Sequence, residues 1–294
     1  MVFNWVYFMS MVLSKSILAF ELAAELSLEV TGCRDQPLVA IATIDSMEPN
    51  TLKFSKIPPN EYLSGIVIAP STCNAETVLI SENPRLDFCK ALNFLLDKHY
   101  LVRPVMESSV GHNCYIADSA ILEDGVTIGA NCIVEHNVVI HRNTSIGENC
   151  IIRANSVIGA QGFGFQQDSD GTWIRFPHLG GVVIENNVEI GALNSVCLGS
   201  LGNTTIGAGV KTDNLVHIGH NCTIGDNTIL TASSELSGGV TLGANVWIGP
   251  NSSIMEKVSI ASNSMVGIGS VVRKNVAKGI IVAGNPAKKI RDNM

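Results

Sequence analysis

The chain has 294 residues, of which 46% are apolar and only 15% are charged, a composition that supplies a large core and excludes a disordered protein. Its formal net charge of −7 excludes a protein that binds nucleic acid over its whole surface, because such proteins are basic. The eight cysteines include no CxxC pair and no Cys/His cluster at zinc spacing. We therefore expect no metal site, and we expect reduced cysteines in the cytoplasm.

Residues 1–13 form an apolar leader of unclear role. They lack the basic start and the small-residue cleavage site of a signal peptide. They are also too short to cross a bilayer, which takes about 20 residues, so we expect no transmembrane segment. Two interpretations stay open: a start site placed too early, with Met11 as the true first residue, or a segment that contacts a membrane surface.

Residues 14–101 have the mixed pattern of a small α/β domain. Apolar residues at helical spacing predict a first helix over 14–28, and Asn83-Pro84 precedes a second predicted helix over 86–96. Short runs of β-forming residues lie between the two helices, at 38–44, 65–68 and 77–80. Arg103-Pro104 marks the expected end of this domain.

Residues 102–282 are dominated by an aliphatic residue at every sixth position. The series is unbroken over 110–158 and continues over 184–272, with Thr212 as its one polar member. A period of six fits neither an α-helix, with 3.6 residues per turn, nor an isolated strand, with a period of two. It predicts a solenoid whose flat sides are short strands, each with one aliphatic side chain directed inward. The predicted fold is mainly β: a left-handed parallel β-helix preceded by the small α/β domain.

The dipeptide Asn-Cys recurs every 18 residues, at 113/114, 131/132 and 149/150. Three hexads make 18 residues, so the repeat predicts a coil with three sides. The cysteines should then stack on one another, as a column of small reduced residues rather than a metal site or disulfides. The asparagines should occupy corners, because asparagine tolerates a positive φ.

Two interruptions of the hexads are the places where functional residues are expected, because insertions carry side chains off a regular wall. One is the loop insertion 160–183, in which Phe163 and Phe165 stand among glycines. It is interpreted as a lid or wall over a site, and an ordinary Ω-loop is the alternative. The other is a four-residue slip at 199–202. The basic tail, 283–294, is expected to leave the β-helix and pack back on it, where it could meet phosphates or an acidic carrier; a solvated tail is the alternative.

The segment 213–222 holds the candidate catalytic residues. Acyl transfer to an amine needs a base, because an ammonium group has no lone pair, and histidine suits this role near neutral pH. His217 and His220 are the candidates, and Asp213 is expected to bond an imidazole nitrogen and fix its tautomer. A plain surface histidine is the alternative. The other histidines, His178 among them, have weaker claims, and Cys222 is a poor candidate nucleophile because it falls in a column of small residues.

The chain resembles the UDP-3-O-acylglucosamine N-acyltransferase family of lipid A biosynthesis over nearly its whole length. The resemblance rests on ENP at 82–84, GFGF at 162–165, PHLG at 177–180, VEIGA at 188–192, a G-x-L-x-N/D-T element at 199–204 and DNxVxIxHN at 213–221. It implies a homotrimer with active sites between neighbouring β-helices. It also implies a 3-hydroxyacyl chain, delivered by acyl carrier protein to the glucosamine 2-amine of a UDP sugar. His220 would be the general base with Asp213 as its partner, and Phe54 and Tyr62 would line a uridine pocket.

The chain also departs from that family's pattern. Lys257 stands where the family has a second active-site histidine, and Cys197-Leu198 replaces an Asp-Arg pair. The C-terminal helical region of the family is missing, and VWIGPNSSI and VAGNPAKKI are instead similar to acetyl-CoA-dependent sugar acetyltransferases. Those enzymes also carry a histidine followed by an acid or asparagine and a cysteine, as in residues 220–222.

Two acyl donors therefore stay open as co-substrates, the phosphopantetheine thioester of acyl carrier protein and acetyl-CoA, and no bound cofactor is expected. The second donor would make the chain a nucleotide-amino-sugar acetyltransferase of surface glycan synthesis. A non-catalytic β-helix scaffold is the third hypothesis. The residues assigned to substrate binding are Phe54, Tyr62, Phe163, Phe165, His217, Asn221 and Lys257.

Overall fold

The computed structural model describes residues 11–101 and 107–293. The chain divides into two compact units; of the described residues, 11–101 and 164–177 belong to the first, and 107–163 and 178–293 belong to the second. Most of the predicted leader, residues 1–10, lies outside the described residues, as does the boundary predicted at Arg103-Pro104. Within the described ranges, no helix is both long enough and apolar enough to span a membrane.

The first unit is built on a six-stranded sheet of strand order β1-β3-β4-β5-β6-β2. Its elements are β1 Met11–Leu18, α1 Ala19–Leu26, β2 Glu29–Gly32, β3 Pro37–Ile41, β4 Thr51–Phe54, β5 Leu63–Ala69, β6 Ala75–Ile80 and α2 Pro84–Asp97. The four central strands, β3 to β6, are parallel, whereas β1 and β2 pair antiparallel at the edges. The side chain of Asn83 caps α2 by accepting the N–H of Leu86 at 3.3 Å, and Pro84 supplies the first helical residue.

The first helix begins at Ala19, so the prediction of a helix from residue 14 is wrong at its start. Residues 11–18 form β1 instead, whose Ile17 pairs with Leu38 of β3 and is buried. The apolar residues at 17 and 22 fit a helical stripe, but hydrogen bonding to the edge of the sheet decides the conformation of the first half of this segment.

Besides β1, two more strands of the six-stranded sheet, β2 and β4, were not predicted. Strand β4 was missed because it contains the charged Lys53, and a charged residue is not typical of a buried strand. Its ammonium group lies inside the unit and donates to the carbonyl oxygens of Ser46 at 2.6 Å and Ser64 at 2.7 Å. Burial lowers the pKa of Lys53, because water no longer solvates the charged form.

The second unit is the parallel β-helix that the hexads predicted. The remaining strands are β7 Ser109–Val110, β8 Tyr115–Ile116, β9 Ile121–Leu122, β10 Thr127–Ile128, β11 Ile133–Val134, β12 Val139–Ile140, β13 Thr144–Ile146, β14 Ile151–Ile152, β15 Val157–Ala160, β16 Phe165–Gln167, β17 Trp173–Arg175, β18 Val182–Ile184, β19 Glu189–Ile190, β20 Ser195–Cys197, β21 Thr204–Ile206, β22 Lys211–Thr212, β23 His217–Ile218, β24 Thr223–Ile224, β25 Ile229–Leu230, β26 Glu235–Leu236, β27 Thr241–Leu242, β28 Trp247–Ile248, β29 Ser253–Ile254, β30 Ser259–Ile260, β31 Met265–Val266, β32 Val271–Val272, β33 Ile280–Ala283 and β34 Lys288–Asp292. Of these, β16 and β17 form an antiparallel hairpin that belongs to the first unit.

Three sheets form the walls of the β-helix, and we call them face 1, face 2 and face 3 in the order in which the chain visits them. Face 1 contains β7, β10, β13, β18, β21, β24, β27 and β30; face 2 contains β8, β11, β14, β19, β22, β25, β28, β31, β33 and β34; face 3 contains β9, β12, β15, β20, β23, β26, β29 and β32. The hexad residues from Ile128 to Val272 are buried inside, including the polar Thr212. A left-handed parallel β-helix of hexapeptide repeats is therefore confirmed.

The 18-residue repeat of Asn-Cys corresponds to one three-sided coil. Sγ of Cys114 lies 3.4 Å from the backbone N of Cys132, and Sγ of Cys132 lies 3.4 Å from the N of Cys150. All three thiols are free, and each donates to a backbone carbonyl. The preceding residues Asn113, Asn131 and Asn149 have φ of 57°, 59° and 56°. The predicted column of stacked cysteines and its asparagine corners are thus confirmed.

The C-terminal tail returns onto the β-helix as a strand. Ile281 of β33 pairs in parallel with Met265 of β31, and β34 then runs antiparallel to β33. The basic side chains of Lys288 and Lys289 are exposed on β34, and Lys289 forms an ion pair with Asp292 at 2.6 Å. Both strands extend face 2 beyond the last complete coil.

Candidate active site

Each coil has three corners, and the corner between face 3 and face 1 contains both interruptions of the hexads. In successive coils this corner consists of residues 161–181, between β15 and β18, then 198–203, between β20 and β21, and then 219–222, between β23 and β24. The ends of the long insertion, 161–163 and 178–181, belong to the β-helix unit. His220 therefore lies on the corner that directly follows the two insertions in the stack.

The partner of His220 is its neighbour in sequence. Nδ1 of His220 lies 3.0 Å from Oδ1 of Asn221. The same oxygen accepts the backbone N–H of Ser200 at 3.0 Å and the Ser200 hydroxyl at 2.8 Å. Because a backbone N–H is always a donor, the Asn221 atom that faces it must be the carbonyl oxygen. His220 must then donate its proton from Nδ1, which leaves the lone pair of the neutral imidazole on Nε2.

His178 packs against His220, a contact that the sequence analysis missed. The two rings meet edge to face with centroids 4.9 Å apart, and His178 is buried. Gly162 makes this possible, since a Cβ there would lie 2.7 Å from Nε2 of His178 and 3.1 Å from Cβ of His220. The signal in the sequence was the place of His178 at the exit of the long insertion.

Ser200, in the four-residue slip, is hydrogen-bonded to the last residues of the long insertion. The carbonyl oxygen of Ser200 accepts the N–H of Leu179 at 2.7 Å and that of Gly180 at 3.2 Å. Gly180 and Gly199 lie so close to the carbonyl oxygen of Gly202 that a Cβ at either position would collide with it. The two insertions thus pack backbone against backbone, and glycine is required at the contact.

The next two coils extend this corner below His220. Gly238 leaves room for the imidazole, because a Cβ there would lie 2.6 Å from Nε2 of His220. Lys257 follows one coil later, exposed and with a φ of 60°, and its Cγ lies 3.4 Å from the place of a Cβ on Gly239. The N–H of Gly239 donates to the carbonyl oxygen of His220 at 2.8 Å.

Asp213 lies on a different corner from His220. It follows β22 of face 2, so the whole of β23 separates it from His220, and its exposed carboxylate accepts the N–H of Asn214 at 2.7 Å. Within the chain, Asn221 therefore takes the role that the sequence analysis assigned to Asp213. His217 lies on the outer surface of face 3, where it pairs with Ser195 and Glu235 of the neighbouring strands, and not on the corner.

Phe54 and Tyr62, both in the first unit, contact different partners. The ring of Phe54 packs against Phe88 of α2 with centroids 4.8 Å apart. The half-exposed Tyr62 donates its hydroxyl to Oε1 of Glu76 at 3.0 Å, a bond that raises the pKa of Tyr62. Glu76 also accepts the N–H of Gly65, and these bonds lower the pKa of Glu76 by stabilising its charge. Phe54 thus faces the helix side of the sheet and Tyr62 the start of β6.

The two predicted phenylalanines of the long insertion have different surroundings. Phe163 is 91% exposed. Phe165 begins the hairpin of the first unit, where the guanidinium of Arg175 lies 4.6 Å from its ring centroid. An ion pair of 2.9 Å between Lys90 and Asp168 connects this hairpin to α2.

Cys222 is buried, and its thiol donates to the carbonyl oxygen of Ser237 at 3.3 Å. Burial raises the pKa of Cys222 to about 12. A thiol with this pKa supplies almost no thiolate at neutral pH, so the geometry gives no support to a covalent mechanism through Cys222. Among the described residues, no group of three or more His, Cys, Asp or Glu side chains is placed to hold a metal ion.

Comparison with known proteins identifies the repeat and relates the chain to acyltransferases. Residues 107–142, 128–160, 203–238 and 239–274 match the family model described as bacterial transferase hexapeptide, six repeats. A UDP-3-O-acylglucosamine N-acyltransferase from Coxiella burnetii is 35% identical over 252 residues, which cover 74% of this chain and 73% of that protein. One of the same name from Dechloromonas aromatica is 51% identical over 83 residues, 28% of this chain and 24% of that protein.

Solved structures share the fold. A UDP-N-acetylglucosamine acyltransferase from Campylobacter jejuni superposes with a TM-score of 0.56 at 23% identity, over 65% of this chain and 74% of that one. The Arabidopsis enzyme of the same name gives a TM-score of 0.54 at 23% identity, over 66% of this chain and 74% of that one. At these identities the likeness concerns the β-helix alone. On the extent and identity of the Coxiella match, the chain belongs to the UDP-3-O-acylglucosamine N-acyltransferase family of hexapeptide-repeat acyltransferases.

Proposed function

We propose that this protein transfers an acyl group from a thioester to the amine of a UDP-linked glucosamine, with His220 as the general base. The observation that carries the proposal is the hydrogen bond from Nδ1 of His220 to Oδ1 of Asn221, which leaves the lone pair on Nε2. In this mechanism Nε2 takes the proton from the sugar amine as its nitrogen attacks the thioester carbonyl. The C–S bond of the tetrahedral intermediate then breaks, and the thiol of the donor leaves with the proton returned from the imidazolium, so that the base is regenerated. The names of the relatives support the choice of acceptor.

The donor we favour is a 3-hydroxyacyl chain on acyl carrier protein. Acetyl-CoA is the second candidate, because residues 246–254 and 282–290 are similar to acetyl-CoA-dependent sugar acetyltransferases and because Lys257 replaces the family's second histidine. Both donors present a phosphopantetheine thioester, so the same base serves either one. Lys257, on the corner of His220, is the residue we assign to substrate binding with the most structural support.

We further propose a cytoplasmic homotrimer in which each site lies between neighbouring β-helices. This assembly leaves open a contribution of Asp213 or His217 from a second subunit to the site of the first. Phe163 and Phe165 remain assigned to substrate binding, as do Phe54 and Tyr62 in a uridine pocket.

The test is an assay of purified protein with UDP-3-O-acylglucosamine and UDP-amino sugars, each supplied with acyl carrier protein thioesters or acetyl-CoA, followed by mass spectrometry of the products. The proposal predicts a mass increase equal to one acyl group on the sugar amine, with a preference for long-chain acyl carrier protein. A preference for acetyl-CoA would move the protein to the second candidate function. Trimers without turnover on any pair of substrates would favour the non-catalytic scaffold.

A further inference from the structure

We propose that Ser200 is a positioning residue, which acts through Asn221 to keep His220 in the tautomer that can accept a proton. The inference rests on the proposed function for its kinetic consequences, but the tautomer itself is measurable without turnover. Ser200 comes from the four-residue slip in the hexads, where functional residues are expected but where the proposed reaction has so far used none. Ser200 is not expected to contact the sugar amine or the thioester carbonyl, so it is not a catalytic residue.

The argument begins with the amide of Asn221. Two donors of Ser200, the N–H at 3.0 Å and the hydroxyl at 2.8 Å, converge on Oδ1 of Asn221. If the amide turned over, its NH₂ group would face the N–H of Ser200, and two donors would meet without an acceptor. The N–H of Ser200 therefore selects one orientation of the Asn221 amide, and the hydroxyl, which donates to the same oxygen, adds to that preference.

The orientation of the amide in turn selects the tautomer of His220. With Oδ1 directed at the ring, Nδ1 carries the proton and Nε2 has the lone pair. With the amide reversed, the NH₂ group would donate to Nδ1, the proton would move to Nε2, and the ring could no longer accept a proton there. The hydroxyl of Ser200 therefore influences how often His220 is ready to act as a base, although it does not touch His220.

The position of Ser200 is itself fixed by the long insertion. Its carbonyl oxygen accepts the N–H groups of Leu179 and Gly180, and the close approach of Gly199 to Gly202 leaves no room for a side chain. The N–H of Ser200 is thereby held toward Asn221. A continuous series of contacts thus runs from the exit of one insertion, through the other, to Nδ1 of His220, which explains why both insertions occur on the same corner.

The direct test of the proposal is the ¹⁵N chemical shifts of the His220 ring in histidine-labelled protein, assigned by comparison with His220→Gln. In the native protein we expect a protonated Nδ1 and an unprotonated Nε2 above the titration range. Ser200→Ala keeps the N–H and loses only the hydroxyl, so we expect the Nε2–H tautomer to appear beside the native one. In Ser200→Thr, which keeps the hydroxyl, we expect a return to the native spectrum. An Nε2–H tautomer in the native protein, or an unchanged tautomer in Ser200→Ala, would overturn the proposal whether or not the protein has the proposed activity.

The kinetic test is a double-mutant cycle. Ser200→Ala should lower kcat about 3–10-fold, the loss of one neutral hydrogen bond, with KM values for both substrates unchanged within about twofold. In an Asn221→Ala background, the same substitution should have no further effect, because the group through which it acts is gone. Equal losses in both backgrounds, or a change in KM alone, would indicate a structural or binding role and contradict the proposal. Ser145→Ala, which removes a single surface hydrogen bond to Thr127, is the matched control and should keep native activity.

Discussion

The carbonyl oxygen of Asn221 lies 3.0 Å from Nδ1 of His220, and these two residues are neighbours in sequence on one corner of the β-helix. An amide partner differs from the carboxylate partner that the sequence analysis expected. An amide orients the imidazole and fixes its tautomer, but it adds no negative charge to stabilise the protonated ring.

The charge of the partner can be tested with Asn221→Asp. A carboxylate beside Nδ1 stabilises the imidazolium, so the acidic limb of the kcat/KM profile should move to higher pH by about one unit. The base will be protonated more often at neutral pH, so the rate there should fall, and it should recover as the pH rises. A profile at the native position would show that Asn221 does not act on the ionising group.

The imidazole of His220 has room in its position only because residue 238 is a glycine without a side chain. A methyl group there would lie 2.6 Å from Nε2, so in Gly238→Ala the imidazole must move. We expect a loss of about 10²-fold in kcat with a small change in Tm, because the displaced group is the end of a side chain. In Gly129→Ala the new methyl would meet the backbone of Gly147, and the expected result is the reverse: a large loss in Tm without a specific loss of catalysis. Native kinetics in Gly238→Ala would contradict the geometry of the site.

Lys257 has left-handed backbone, which asparagine adopts at most other corners. A long side chain at this φ costs conformational energy that asparagine largely avoids. Lys257→Asn should therefore raise the free energy of unfolding, by about 0.5–1 kcal/mol, while raising the KM of a phosphate-bearing substrate. Denaturant titration and initial-rate kinetics measure the two effects. A lower KM or an unchanged KM in the more stable variant would remove Lys257 from the substrate-binding residues.

Cys222 provides a negative test of a covalent intermediate. Because burial holds its pKa at about 12, the thiol remains protonated over the neutral range. Cys222→Ala should retain activity within about threefold, the change being limited to the packing of a small buried side chain. Loss of all turnover, together with an acyl adduct on Cys222 in the native protein by mass spectrometry, would establish the covalent route instead.

The regular part of the fold could be predicted from the sequence because a side chain points inward every six residues. All of these positions except Thr212 therefore carry an aliphatic residue, and the period of six is visible in the sequence. Which residues share a corner was harder to predict. Asp213 precedes His220 by about one hexad, and one hexad moves the chain along one face to the next corner, so the two groups separate. Residues that share a corner are adjacent in sequence, like Asn221, or a full coil away, like Gly238.

The insertions have no period, so their conformations could not be read from spacing. His178 and Ser200 come close to His220 only because residues 178–181 and 198–203 pack against each other at the corner. The start of the first helix was also misjudged, because β1 gains its hydrogen bonds from β3, which lies far from it in sequence. In each case a contact between distant segments overrode the local pattern.

The measurement that tests the central claim most directly is the kcat/KM of His220→Ala for acyl transfer to the sugar amine, compared with the native protein at neutral pH. Removal of the general base predicts a loss of about 10²–10⁴-fold with the β-helix intact by circular dichroism. The exposed His112, on a different corner, supplies the control, and His112→Ala should keep the native rate. Near-native transfer by His220→Ala would contradict the role assigned to this residue.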